Sequence, residues 1–168
     1  FIPITMEAAI EVASNLRPED RREVEEGHGR DPYTEIVAKA EEGDCIYFTV
    51  PNGRAAGMAG VDPGGLIWML CTDAIYDYPL SFARAAKRFV AMYSDQDLWN
   101  IVDKRNTMHL RLLKFLGFEF SEEISHGPNN LSFIKINKWA GFNGHSIPTQ
   151  QQKMIDGKLK THKPGLKL

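Results

Sequence analysis

The chain is poor in the residues that announce a metal centre, a disulfide framework or a membrane span. It has two cysteines among 168 residues, Cys45 and Cys71, and they form neither a CxxC pair nor a zinc spacing. Each sits in a strand-like run, which predicts buried free thiols and a reducing compartment. His126, His145 and His162 have no ligand spacing, so no metal site is expected. The longest apolar stretch, Gly65 to Cys71, is far too short to cross a bilayer. An excess of one charge is missing too. Twenty Lys and Arg against 22 Asp and Glu leave a formal charge of −2, which gives the whole molecule no electrostatic reason to bind nucleic acid or a membrane. Asn52-Gly53 and Gly64-Gly65 are turn glycines that no phosphate loop follows.

What is present suits one globular domain with a real core: 43% hydrophobic and 25% charged residues are ordinary proportions. Phe1–Ile4 reads as a short strand. Ala9, Ile10, Ala13 and Leu16 recur at helical spacing after Thr5, a helix-capping residue. Arg17-Pro18-Glu19-Asp20 opens a second helix with proline and acids in the first turn, expected to reach Glu26 and stop at Gly27. A third spans Asp31 to Glu42, closed by Gly43.

The period then changes to strands. Cys45–Val50, the Pro51-Asn52-Gly53 turn and Ala55–Val61 form a hairpin pattern. Leu66–Cys71 follows, and its unbroken apolar character predicts burial on both faces. Pro79–Tyr93 is the clearest helix, with Phe82, Ala85, Ala86, Phe89, Val90 and Tyr93 as its apolar stripe and Arg84, Lys87 and Arg88 on the solvated side. Leu98–Val102 is a strand. Thr107–Leu116 is a helix with Met108, Leu112, Phe115 and Leu116 inward. Strands then start at Phe118 and span Leu131–Ile136. Trp68 and Trp99 fall in strands and are expected in the core.

Periodicity ends near Trp139. The stretch 139–168 holds Lys153, Lys158, Lys160, Lys163 and Lys167 against one acid, Asp156, and is rich in Gly, Pro and Gln. The domain is therefore placed at 1–138, with 139–168 as a basic tail that orders on a partner surface. Trp139 and the five lysines are its candidate partner-binding residues.

A specific resemblance rests on Asn106-Thr-Met-His109-Leu-Arg-Leu112-Leu113-Lys-Phe-Leu116-Gly117-Phe118. A strand, an Asn, a short amphipathic helix and Leu-Gly-Phe resemble the last coenzyme-contacting motif of GNAT N-acyltransferases. The resemblance implies an α+β fold in α/β/α layers, with a mixed, mostly antiparallel central sheet flanked by helices. A narrower resemblance rests on Arg17-Pro-Glu-Asp20-Arg-Arg-Glu23, on Trp68-Met-Leu-Cys71-Thr72-Asp73-Ala74 and on Asn100-Ile-Val-Asp103-Lys-Arg105-Asn106. These segments resemble a family of GNAT-like phage proteins that includes the internal virion protein A of short-tailed coliphages. That resemblance implies a phage origin, location in the virion or host cytoplasm, and other phage structural proteins as partners.

The GNAT resemblance also implies an acyl-CoA site, from which the sequence departs twice. Enzymes of that fold hold the pyrophosphate on a Gly-rich turn leading into the long helix. The corresponding link here, Thr72-Asp-Ala-Ile-Tyr-Asp-Tyr-Pro79, has no glycine and offers Asp73 and Asp77, which oppose an anion and could cap the helix themselves. Many such enzymes carry an acidic Tyr seven residues after the Asn, and here that position is Leu113, which has no proton to give. If acyl-CoA binds, Leu70, Cys71, Thr72, Asn106 and His109 are the candidate contacts and Asp73 the candidate base. Asp73 reads better as a helix cap than as a base, Asn106 reads equally as a cap, and His109 as a surface residue on the exposed side of its helix.

Two functions follow as expectations. One is a non-catalytic component of the virion or its assembly, with no cofactor, docking through its tail and touching nucleic acid at most through that tail. The other is an acetyl-CoA-dependent N-acetyltransferase with an atypical cofactor site.

Overall fold

A computed structural model describes residues 2–141. The expectations that fall on Phe1 and on Lys153, Lys158, Lys160, Lys163 and Lys167 lie outside the described residues. The elements form where local chemistry favours them. Strand β1 (Ile2–Pro3) leads to helix α1 (Met6–Ser14), whose first turn is capped by Thr5 Oγ1 accepting from Ala8 N at 3.2 Å. Helix α2 (Pro18–Arg22) starts on proline, and α3 (Pro32–Glu42) starts on Asp31, whose carboxylate accepts from Thr34 N at 2.8 Å. Gly43 closes α3 in the left-handed region with φ of 80°.

Between α2 and α3 the chain departs from expectation. The helix ends at Arg22 and continues as a π-helical turn over Glu23–Gly27, with His28 N bonded to Glu23 O at 3.0 Å. Wide turns of this kind are rare and re-aim side chains. Here the turn begins where Glu23 swings inward to meet Asn106.

Strands β2 (Cys45–Thr49), β3 (Ala55–Asp62) and β4 (Leu66–Cys71) form an antiparallel meander. Helix α4 (Pro79–Ala91), strand β5 (Leu98–Asp103), helix α5 (Thr107–Phe115) and strands β6 (Glu119–His126) and β7 (Leu131–Lys138) complete the order. The seven strands are arranged β1-β2-β3-β4-β5-β7-β6, and β4–β5 is the parallel pair. One core joins the sheet to α4 and α5 through Phe82, Phe89, Val102, Leu113 and Ile136. A second joins the other face to α1 and α3 through Ala9, Val12, Ile36 and Met58. The mixed sheet between helical layers is the α/β/α arrangement expected.

Several side chains expected inside are wholly or partly exposed. Trp99 is 40% exposed, and its indole N–H is held by Gly64 O at 3.0 Å. Phe115 is 58% exposed, because α5 turns Leu113 and Leu116 to the core instead. In β4, Ile67 and Cys71 are buried but Trp68, Met69 and Leu70 are only half-buried. The reason is that β4 and β5 meet at one place, Leu66 opposite Trp99, and then diverge. Cys45 and Cys71 are free buried thiols, as expected.

Gly65 fixes that single meeting point. Its carbonyl accepts from Trp99 N at 2.9 Å, its φ is 83°, and a Cβ there would lie 2.0 Å from Asp97 O. Gly65→Ala should therefore destabilise the protein by at least about 2 kcal/mol in urea unfolding. An unchanged midpoint would show that β4 and β5 are not pinned there.

Candidate functional site

Where β4 and β5 diverge, alternate residues of β4 turn their backbone toward the gap. Thr72 N is paired back to Ala56 O of the β3 side at 2.9 Å, so by the two-residue alternation Ile67, Met69 and Cys71 face β5. The Asn100 side chain spans the start of the gap, donating to Ile67 O at 2.6 Å. At the other end, Cys71 is already paired. Its carbonyl accepts from Arg17 N at 2.9 Å and its N–H donates to Asp20 Oδ2 at 2.8 Å. Leu16 and Thr72 bridge the same place. The link from α1 to α2 thus acts as a short neighbouring strand along the end of β4.

A buried polar network anchors this link. Arg17 is 2% exposed and Asp20 3%. Arg17 Nε donates to Asp20 Oδ2 at 3.1 Å, and its Nη2 pairs with Asp20 Oδ1. The same Nη2 reaches Asn106 Oδ1 at 3.1 Å. The Asn106 amide N–H group donates to Asp20 Oδ1 at 3.0 Å and to Glu23 Oε2 at 2.9 Å. Arg17 Nη1 contacts Tyr76 Oη at 3.4 Å and Met108 Sδ at 3.7 Å. Burial opposes the Arg17 charge, but hydrogen bonding and attraction from Asp20 outweigh it and hold Arg17 above its ordinary value. A second clamp, Arg105 on Asp103 at 2.7 Å and on Glu26 at 2.7 Å, ties the end of β5 to the π-helical turn.

Two cavities flank the gap. One, of about 250 Å³, lies between α4 and α5 and is lined by Met69, Cys71, Ile75, Phe82, Leu112 and Phe115. The other, of about 390 Å³, opens on the α2–α3 side beside Glu23, His28, Lys39, Trp68, Trp99 and Asn100. Asp20, Met69 and His109 line both. Burial lowers His109 from its ordinary value, which keeps the imidazole neutral. His109 therefore turns inward and does not sit on the exposed side of its helix. Glu23, which the sequence did not single out as a site residue, carries the largest carboxylate perturbation. Burial pushes it up to about 8, with the Asn106 hydrogen bond pulling the other way.

The other predicted residues are scattered. Leu70 lines the larger cavity and Cys71 the smaller. Burial raises the Cys71 thiol well above its ordinary value, so it is no nucleophile at neutral pH. Thr72 is 1% exposed, and its hydroxyl donates to Ala55 O at 2.7 Å and accepts from Ala74 N at 3.3 Å. Asp73 lines neither cavity. It does not cap α4, and neither does Asp77: both are ion-paired with Arg54, at 2.8 and 3.5 Å, because that guanidinium reaches across from the β2–β3 turn. Asn106 occupies the position before α5 but makes no side-chain cap, its amide being spent on Arg17, Asp20 and Glu23. Leu113 is buried in the core. Trp139 is 51% exposed and donates to Glu119 Oε2 at 3.3 Å.

No protein-family model matches the chain, and no curated protein does. Solved structures share its architecture. A GNAT-family acetyltransferase from Bacillus anthracis superposes with a TM-score of 0.62 at 9% identity, over 83% of this chain and 93% of its own. A ribosomal-protein-alanine acetyltransferase from Vibrio fischeri gives 0.55 at 15% identity, over 83% and 92%. An aminoglycoside acetyltransferase in complex with coenzyme A gives 0.55 at 14% identity, over 82% and 92%. The fold is that of the GNAT acyltransferases.

The Glu23 environment predicts a pH signature. From its usual 4.5 to about 8, the folded state keeps a proton that the unfolded chain has lost, so this group's contribution falls as pH rises through that window. Glu23→Gln keeps an oxygen for Asn106 and cannot ionise. The variant should gain stability relative to the parent between pH 5 and pH 9 in thermal melts. Parallel curves across that range would mean Glu23 is not held neutral.

Proposed function

We propose that this chain uses the GNAT fold as a non-catalytic docking domain of a phage virion or of its assembly, without acyl-CoA. One observation carries the reading: the end of β4, where a thioester and its pantetheine arm would seek backbone partners, already bonds to Arg17 N and the Asp20 carboxylate. Three others support it. The link into α4 has no glycine, and its Thr72 and Ala74 groups are bonded to each other. Asp73 and Asp77 stand there as a pair of carboxylates shared by one Arg54. Both N–H donors of the Asn106 amide are spent on Asp20 and Glu23, and its oxygen already accepts from Arg17. The phage assignment rests on the three sequence segments that resemble the internal virion protein family.

Under this reading, association runs through 139–168. The lysines Lys153, Lys158, Lys160, Lys163 and Lys167 supply electrostatic attraction and Trp139 an aromatic foothold.

A second reading, an acetyl-CoA-dependent N-acetyltransferase, is favoured by Glu23. A carboxyl near 8 that lines the larger cavity, which shares Met69 and His109 with the smaller one, is suited to take a proton from an amine. Asp73, exposed and paired with Arg54, is less suited. Acetyl transfer would require Arg17 and Asp20 to leave the β4 edge first.

Calorimetry separates the two. Acetyl-CoA titrated to millimolar concentration should give no binding heat, and micromolar binding that Asn106→Ala abolishes would overturn the docking reading. Removing residues 139–168 should leave the melting transition in place and abolish association with the virion partner in a pull-down. Association retained by the truncated domain would move the docking surface elsewhere.

A further inference from the structure

The groove of about 250 Å³ between α4 and α5 remains once the coenzyme is set aside. It is smaller than the roughly 300–1,000 Å³ usual for drug-sized ligands, so it suits one narrow chain. Its walls, Met69, Ile75, Phe82, Ala83, Leu112 and Phe115, are apolar. Two polar groups at its inner end are already satisfied, Arg17 by Asp20 and the Cys71 N–H by the same carboxylate. Neutral His109 completes the floor. A chain that carries several amides would bury most of them against these apolar walls without partners, at a cost of about 1–3 kcal/mol for each group. A hydrocarbon chain has no such cost.

The mouth has a charge preference. Neither α4 nor α5 contains an acid, and between them they carry Arg84, Lys87, Arg88, Arg111 and Lys114. Arg111 lines the groove and, among the described residues, has no hydrogen bond or ion pair. Lys87 Nζ lies 5.9 Å from the ring centroid of Phe115, on the same rim. Leu80, 71% exposed, and Phe115, 58% exposed, extend the apolar surface outward. At the start of α4 the acids Asp73 and Asp77 are held by Arg54, so an anionic head would settle on the α5 side, not at that helix end.

We propose that this groove binds an aliphatic chain with an anionic head, of the medium-chain fatty carboxylate class, with the chain between α4 and α5 and the head at Arg111 and Lys87. The inference rests on the reading that acyl-CoA does not occupy the site.

The test uses the full chain and sodium octanoate, decanoate and dodecanoate below their micelle thresholds, followed by calorimetry. Affinity should fall about tenfold for every two carbons removed, the scale set by burial of methylene groups. Dodecanoate binding should weaken at least tenfold in Arg111→Glu, a surface change, and vanish in Ala83→Trp, which fills the groove. Should Ala83→Trp fail to fold, Arg111→Glu and the length series still decide. Dodecyltrimethylammonium, with the opposite head, should not bind. Vesicles of phosphatidylglycerol distinguish the source of the chain: binding only to vesicles, lost in Arg111→Glu, assigns it to membrane lipid, and binding of free dodecanoate assigns it to a soluble acid. No binding to either, affinity independent of chain length, or indifference to Arg111→Glu would overturn the proposal. Displacement of dodecanoate by coenzyme A alone would instead sink the docking reading on which it rests.

Discussion

A buried guanidinium–carboxylate pair, Arg17 with Asp20, sets the geometry of this site. Both groups are almost wholly removed from water, where an ion pair is tolerated only with its remaining hydrogen-bonding capacity filled. Here it is filled from three directions, by the backbone of Cys71, the amide of Asn106 and the hydroxyl of Tyr76. The pair therefore joins the start of α2, the end of β4 and the start of α5, which are distant in sequence. Glu23 and the π-helical turn follow from the same junction, since Asn106 holds both Asp20 and Glu23. Burial opposes the Glu23 charge most strongly, and repulsion from Asp20 adds to it. Glu23 has no cation partner comparable to Arg17, and it is the one raised to about 8.

The consequence is a fold whose central opening survives while the backbone at the Cys71 end of β4 is spoken for. The gap between β4 and β5 follows from the single meeting point at Leu66 and Trp99 and from Asn100, whose side chain replaces a ladder bond at Ile67. The cavities on either side are thus products of strand geometry, and their presence does not by itself argue for chemistry. What decides chemistry is the polar atoms available at the gap, and most of those belong to the network around Arg17.

Much of this was legible in the sequence, for identifiable reasons. Helix starts at Thr5, Pro18 and Pro32, the stop at Gly43 and the hairpin around Asn52-Gly53 carry local signals that no tertiary contact overrode. The missing glycine before α4 was visible as composition. Side-chain direction was harder to read. Periodicity puts His109 and Phe115 on the wrong sides of α5 because a short helix with apolar residues most of the way round has no clear face, and the gap at β4 gives His109 an inward place that periodicity cannot foresee. Trp99 lies at the surface because β5 parts from β4 beside it. Glu23 was within a segment already singled out, yet nothing in Glu-Val-Glu-Glu distinguishes the inward acid from the outward ones. The π-helical turn makes that distinction, and at its start Glu23 accepts from the Asn106 amide.

The three segments that carry the narrower resemblance supply Arg17, Asp20 and Glu23, then Cys71 and Thr72, then Asp103, Arg105 and Asn106. These are the residues of the network and its clamp, so what looked like three separate signatures is one structural unit. Its energetics bear on the choice between readings. A coenzyme that paired with the end of β4 would have to displace Asp20 from Cys71, and with it loosen the partner of a guanidinium that is 2% exposed. Leaving such a charge uncompensated costs about 3–5 kcal/mol, which at about 1.4 kcal/mol per tenfold weakens an otherwise micromolar ligand by roughly two to three and a half powers of ten. Arg17 and Asp20, being covalently part of the chain, lose no translational freedom in occupying that edge. An enzyme of this fold would gain by keeping the position open. A domain that uses the fold for its shape gains by closing it, because the closure cross-links α2, β4 and α5 and makes the opening rigid.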